Sequence, residues 1–103
     1  MDTIRDLASE KAVVVFTKSS CSICHSVKML LYDLGASPAI HELDRNANGR
    51  EMEWALRELG CNPAVPAVFI GGKLVARSAK DIISLQVNGS LKQMLKDARA
   101  IWL

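Results

Sequence analysis

The chain has 103 residues, enough for one hydrophobic core and too few for two ordinary ones, so we expect a single domain over residues 1–103. Half of the residues are hydrophobic and 23% are charged, a composition that argues against intrinsic disorder. The net charge of +2 is too small to indicate direct nucleic-acid binding.

The first third of the chain alternates between helical and strand patterns. Residues 2–10 have apolar side chains at helical spacing and predict a short helix. The β-branched run over 12–18, "AVVVFTK", predicts a strand covered on both faces. An apolar stripe over 23–34 then predicts a helix that ends at Gly35.

The middle of the chain repeats this alternation. "PAIHEL", residues 38–43, predicts a second strand, and "DRNANG" is turn material. Residues 48–60 predict a helix that begins with a capping box of Asn48 and Glu51 and stops at Gly60.

The last part begins with "NPAVPAVFI", a proline-marked loop and a third strand. Gly71 and Gly72 predict a hairpin turn into the strand "KLVA". Helix-start patterns at Ser78 and Ser90 predict two final helices. This order predicts an α/β sandwich with a mixed four-stranded sheet, since a strand–helix–strand unit gives a parallel pair and a hairpin gives an antiparallel pair.

The motif Cys21-Ser22-Ile23-Cys24-His25 allows three interpretations. As C-x-x-C-H it matches a haem-attachment pattern, but its position after a buried strand does not suit a helical cytochrome. A zinc site would need two further ligands, and the remaining Cys and His residues form no second pair. At a strand-to-helix turn the motif favours redox chemistry.

In the redox interpretation Cys21 is the nucleophile and Cys24 the resolving thiol. The helix N-terminus and the charge of Lys18 should raise the thiolate fraction of Cys21 at neutral pH. We expect His25 to be a solvent-facing residue and Cys61 a buried small side chain.

The sequence shows no export signal at its polar N-terminus and no apolar run close to the ~18 residues of a membrane span. The cysteine count is odd and suggests no disulfide framework. We therefore expect a monomer in the reducing cytoplasm and nucleus, without a membrane partner.

Three segments together resemble a glutaredoxin of the thioredoxin superfamily: K-S-S-C-S-I-C at 18–24, A-V-P-A-V-F-I-G-G at 64–72, and the helix that follows. The resemblance implies a thioredoxin-like three-layer α/β/α fold and glutathione as the cofactor. By carry-over, Val65 pairs through its backbone with glutathione, and Pro66, expected to be cis, holds that backbone. Ser78, Ala79 and Lys80 would receive the γ-glutamyl carboxylate at a helix N-terminus, and Lys18 also belongs to this site.

The whole-chain pattern, including the end Ala100-Ile101-Trp102-Leu103, is similar to the plant CC-type (class III) glutaredoxins. In that group a related C-terminal motif binds TGA-type bZIP transcription factors. The resemblance therefore implies that these four residues bind such a partner, whereas physical reasoning alone leaves open that the tail packs on its own domain.

Four positions depart from the family pattern. Ser22 stands where the CC-type group has a second Cys, and Ala64 replaces a common Thr. Glu53 takes a position that usually holds Gln or Arg facing the glycine carboxylate of glutathione, and Arg77 replaces a Gly. Because two facing carboxylates repel, we expect weak glutathione-dependent oxidoreductase activity combined with a role in transcriptional regulation. The alternatives are a redox-inactive adaptor and a glutathione-ligated [2Fe–2S] dimer that uses Cys21 of each subunit.

Overall fold

The computed structural model describes residues 2–101, with side chains described from residue 4 onward. The helices and strands follow in the order α1–β1–α2–β2–α3–β3–β4–α4–α5, with a 3₁₀ turn at Leu43–Arg45 between β2 and α3. Their bounds are α1 Asp2–Ala8, β1 Val13–Thr17, α2 Ser22–Asp33, β2 Ala39–Glu42, α3 Gly49–Glu58, β3 Ala67–Ile70, β4 Lys73–Ala76, α4 Ala79–Val87 and α5 Ser90–Asp97.

The four strands form one mixed sheet in the order β2–β1–β3–β4. β1 pairs with β2 in parallel and with β3 in antiparallel fashion, and β3 and β4 form the antiparallel hairpin. The parallel pair forms because α2 provides the crossover that returns the chain to the same edge. The predicted fold, an α/β sandwich with a mixed four-stranded sheet, is confirmed.

Every residue of β1 is buried, because the sheet has helices on both faces. Val14 and Phe16 point into a core cluster with α1 and α3, whereas Val13 and Val15 point into a second cluster with α2, α4 and α5. This division follows from the two-residue period of a strand. The three-layer arrangement leaves the C-terminal end of β1 free to lead directly into the cysteine motif.

Element ends differ from the sequence predictions where local polar contacts decide them. The 3₁₀ turn begins at Leu43, so the strand predicted to end there stops one residue earlier. Asn48 is the N-cap residue of α3, as predicted, but the predicted capping box does not form, because its side chain makes no capping bond and its N–H donates to Asn46 Oδ1. The cap at Ser78 is confirmed, since its Oγ accepts from the N–H of Asp81 at 3.2 Å.

The start of α5 also differs from the prediction. Gly89, with φ of 81°, occupies the N-cap position that the sequence assigned to Ser90. The N–H of Ser90 donates to Asn88 Oδ1 at 2.8 Å, so the helix begins with an asparagine contact rather than a serine cap. A glycine suits this position because its backbone is in the left-handed region.

Within residues 2–101, no helix is long and apolar enough to cross a bilayer.

Candidate active site

The cysteine motif lies where β1 ends and α2 begins. Cys21 is the N-cap residue of α2, and its Sγ accepts a hydrogen bond from the N–H of Cys24 at 3.1 Å. This contact places the sulfur at the positive end of the helix dipole, where an anion is stabilised. The geometry can therefore support a nucleophilic thiolate at Cys21.

Cys24 lies one turn further along α2 and is bonded to Cys21 as a disulfide, with the two Cα atoms 5.2 Å apart. Its side chain is only 2% exposed, whereas Cys21 is partly exposed. A substrate from solvent therefore meets the Cys21 sulfur, and Cys24 approaches that sulfur from the protein side. The two sulfurs therefore differ in their access to solvent, and the nucleophilic and resolving roles stay predictions.

The ammonium group of Lys18 is not free to interact with the two cysteines, because its Nζ forms an ion pair with Glu53 Oε1 at 2.8 Å. The other carboxylate oxygen of Glu53 contacts Arg57 Nη2 at 3.1 Å, one turn along α3. The hydrogen bond from Lys18, with further help from Arg57, holds the pKa of the Glu53 carboxyl below its usual value. Glu53 is therefore an ionised carboxylate that is ion-paired with Lys18 and Arg57.

The loop before Cys21 is fixed by a contact that the sequence analysis missed. The backbone N–H of Ser19 donates to Asp44 Oδ1 at 3.0 Å, and the Ser19 hydroxyl donates to Asp44 Oδ2. These two hydrogen bonds lower the pKa of the Asp44 carboxyl. A signal existed: both residues follow the ends of the parallel strands β1 and β2, which meet at one edge of the sheet.

The segment predicted to hold glutathione lies at the start of β3. The Val65–Pro66 peptide is cis, as the resemblance implied, and Val65 is buried with 7% of its surface exposed. Asn62–Pro63 is a second cis peptide in the same loop. Ala64, which departs from the Thr expected from the family resemblance, is buried as well.

The predicted carboxylate site at the start of α4 is partly occupied by the chain itself. Ser78 Oγ accepts from the Asp81 N–H, and Asp81 Oδ2 accepts from the Arg77 N–H at 3.1 Å. Ala79 and Lys80 follow in the first turn of the helix. Because the Asp81 carboxylate lies next to this turn, it would repel the carboxylate of a ligand bound there.

The Arg77 side chain is directed away from this turn, because its Nε donates to the Leu59 carbonyl at 3.0 Å, at the end of α3. The guanidinium also packs against Gly60, where an added Cβ atom would lie 3.1 Å from Arg77 Nε. Arg77 thus connects the end of α3 to the start of α4 and is not a free anion-binding side chain in this conformation.

Cys61 is fully buried in the core between α3 and the sheet, as the sequence predicted. Burial raises the pKa of its thiol, and the nearby Arg77 offsets this only in part. A buried neutral thiol is a poor nucleophile, so Cys61 is unsuited to a third catalytic role.

The tail residues predicted to bind a partner are described only as far as Ile101; Trp102 and Leu103 lie outside the described residues. The N–H of Ala100 donates to the Leu95 carbonyl at 2.8 Å. Ile101 is 6% exposed and packs in the core cluster with α2, α4 and α5. For Ile101 the structure favours the alternative that the tail packs on its own domain, and partner binding by the tail stays a prediction.

Comparison with known proteins places this geometry in a family. The glutaredoxin family model matches residues 13–75, which include β1, the cysteine motif and the Val65–Pro66 loop. The chain belongs to the glutaredoxin family. It is 71% identical to Glutaredoxin-C11 and 52% identical to Monothiol glutaredoxin-S10, both from Arabidopsis thaliana, with all of each chain covered. These relatives confirm the predicted plant subgroup.

Solved glutaredoxins have the same fold. A crystal structure of a buckwheat glutaredoxin–glutathione complex is 33% identical, with a TM-score of 0.91 over 98% of this chain and 91% of that chain. A crystal structure of the holo form of glutaredoxin C1 from Populus tremula x tremuloides is 36% identical and gives a TM-score of 0.87 over 94% of this chain and 95% of that chain. Family and fold support a thiol–disulfide oxidoreductase role for this glutaredoxin.

Proposed function

We propose that this glutaredoxin is a weak, glutathione-dependent thiol–disulfide oxidoreductase with Cys21 as its nucleophile. The single observation that carries the proposal is the position of the Cys21 sulfur at the N-cap of α2, partly exposed and 3.1 Å from the Cys24 backbone nitrogen. A helix N-terminus stabilises the thiolate that attacks a disulfide.

The reaction has balanced steps. The Cys21 thiolate attacks the glutathione sulfur of a mixed disulfide, forming a Cys21–glutathione bond and releasing the target as a thiolate that takes up a proton. A second glutathione thiolate then attacks this adduct, giving glutathione disulfide and free Cys21. Alternatively the Cys24 thiolate displaces glutathione, and the resulting Cys21–Cys24 disulfide is reduced by two glutathione molecules.

Glutathione would dock with its backbone along Val65 and Pro66 and its γ-glutamyl carboxylate at Ser78, Ala79 and Lys80. The buckwheat relative bound to glutathione supports glutathione as the ligand, and the placement on these residues is what the family resemblance implies. The weakness follows from charge: Glu53 holds Lys18, and Asp81 lies beside the α4 turn, so both carboxylates of glutathione would meet a carboxylate of the protein.

A trapping experiment tests the proposal. Cys24→Ser protein is incubated with glutathione disulfide and measured by intact-protein mass spectrometry, followed by peptide mapping. We expect one glutathione per chain, on Cys21. An adduct on Cys61, or no adduct under conditions that modify an active glutaredoxin, would remove Cys21 from its assigned role.

We also propose a regulatory output, in which the C-terminal tail binds TGA-type bZIP factors in the cytoplasm and nucleus. The similarity of the tail to the C-terminal motif of the plant CC-type group supports this, although Ile101 itself is buried in the core of the domain. Deletion of Trp102 and Leu103 should abolish pull-down of a TGA-type factor and leave the folded domain unchanged. Unchanged binding would place the partner site elsewhere.

A [2Fe–2S] cluster stays an alternative prediction. Among residues 2–101, no three or more His, Cys, Asp or Glu side chains are grouped to hold a metal ion, so a cluster would need Cys21 from two chains and two glutathione thiols. A visible absorption spectrum after anaerobic reconstitution tests it.

A further inference from the structure

A cleft of about 640 Å³ runs between the 3₁₀ turn at Leu43–Arg45 and α3, beside the cysteine motif. Lys18 lines both this cleft and a smaller cleft that holds Cys21 and Cys24. The two clefts are therefore neighbours that share one side chain. The larger cleft also contains Asp44, Arg50, Glu53, Trp54 and Arg57.

Trp54 gives this cleft an exposed aromatic surface. Its side chain is 64% exposed, although the opposite face of α3 is buried through Met52, Ala55 and Leu56. A tryptophan in water next to a cleft is a typical anchor for a binding partner, because its ring can bury a large area at a small cost in conformational entropy.

Among the side chains that the structure describes, residues 4–101, the charges in the cleft leave one cation without an ion-pair partner. Glu53 is neutralised by Lys18 and Arg57, and Asp44 is held by Ser19. In the same range, no carboxylate lies within 4.0 Å of the Arg50 guanidinium. Arg50 and Trp54 are one helical turn apart on α3, so an anionic and an apolar group can be bound side by side.

We propose that this cleft docks an acidic segment of the protein substrate, with Arg50 pairing with a carboxylate and Trp54 packing against an adjacent apolar side chain. The proposal rests on the proposed function and names its substrate class: a polypeptide whose cysteine lies a few residues from an acidic and apolar stretch. The location favours this occupant, because the cleft borders the one that holds Cys21 and Cys24, with Lys18 lining both.

A nucleic-acid strand fits the cleft less well. Stacking on Trp54 would suit a base, but every nucleotide brings a phosphate, and beside Asp44 and Glu53 the described lining offers only Arg50 as a cation outside the ion pairs. A polypeptide can present its carboxylate to Arg50 alone and avoid both acidic residues.

The test measures equilibrium binding of a fluorescently labelled short peptide with glutamates and leucines next to a serine that replaces the reactive cysteine. The protein carries Cys21→Ser, so binding is measured without any redox step. We expect Trp54→Ala and Arg50→Gln each to weaken binding about five- to tenfold. Trp54→Phe should recover most of the affinity, and a peptide with glutamine for glutamate should bind as weakly as the Arg50 variant.

Two exposed residues that do not line the cleft provide controls. Tyr32→Ala removes an exposed aromatic side chain from α2, and Arg45→Gln removes an exposed arginine from the 3₁₀ turn. Both should bind the acidic peptide within about twofold of the parent. Equal weakening by the controls, equal binding of the neutral peptide, or preferential binding of a single-stranded oligonucleotide would each overturn the proposal.

This outcome is independent of the redox chemistry. Loss of Cys21 trapping with intact peptide binding would contradict the proposed enzyme activity alone. Normal trapping with no difference between the acidic and neutral peptides would contradict the docking surface alone.

Discussion

Lys18 and Glu53 form an ion pair of 2.8 Å between the loop that precedes Cys21 and the exposed side of α3. The lysine that should attract a glutathione carboxylate is thus already bound to a carboxylate of the protein. Arg57 completes the network from the next turn of α3. This contact is the physical reason why we propose that the glutathione-dependent activity is weak, although the geometry of the cysteine motif is intact.

Glu53→Gln should release Lys18 and remove the repulsion of the glycine carboxylate of glutathione. We expect the KM for glutathione to fall about two- to fivefold, since an exposed ion pair is worth about 0.2–1 kcal/mol. Steady-state kinetics at varied glutathione concentration measure this change. Glu51→Gln, an exposed position in the first turn of α3, is the matched control and should leave KM unchanged. An unchanged or higher KM for Glu53→Gln would show that the carboxylate does not limit binding.

The stability of the domain should fall in acid because the pKa values of Asp44 and Glu53 are lowered in the folded chain. Their stabilising contribution is present above the unfolded-state pKa of about 4 and is lost as the pH falls through the lower folded-state values. Thermal unfolding between about pH 5 and pH 2 should show a shallower decrease for the Asp44→Asn, Glu53→Gln double variant. Parallel curves for wild type and variant would contradict this assignment.

Cys61 should not react in the native protein. Its side chain is fully buried and its thiol pKa is raised by that burial. After reduction, iodoacetamide at neutral pH should modify Cys21 and leave Cys61 unmodified until denaturant is added, as read by peptide mapping. Modification of Cys61 as fast as of Cys21 would mean that this part of the core opens readily.

Ile101 should contribute to folding although it is almost the last residue. Ile101→Ala removes a side chain that is 6% exposed, and we expect the free energy of unfolding to fall by about 1–3 kcal/mol in chemical denaturation. Ile83→Ala, at a position 58% exposed on α4, should change it by less than about 0.5 kcal/mol. If the two variants are equally stable, the tail is not part of the core.

The sequence predicted the architecture because its elements carry strong local patterns. The β-branched run of β1, the glycines that end α2 and α3 and the Gly71–Gly72 turn each have one dominant structural solution. The position of Cys21 at a helix start could be predicted for the same reason.

Contacts between distant segments could not be predicted in this way. The partners Lys18 and Glu53 are far apart in sequence, and only the packing of α3 beside the β1–α2 loop brings them together. The burial of Ile101 likewise depends on the space that α2, α4 and α5 leave at Gly35, where a Cβ atom would lie 3.8 Å from Ile101 Cγ2. Spacing along one element carries no information on such contacts.

The most direct test of the account is the rate at which reduced glutathione, with the protein present, releases glutathione from a glutathionylated peptide. Wild type should accelerate the release measurably. The acceleration by Cys21→Ser should be at least about a hundredfold smaller than that by wild type, whereas Cys61→Ala should accelerate the release as wild type does. No acceleration by wild type, or equal acceleration by Cys21→Ser, would contradict the assignment of Cys21 as the nucleophile of a thiol–disulfide oxidoreductase.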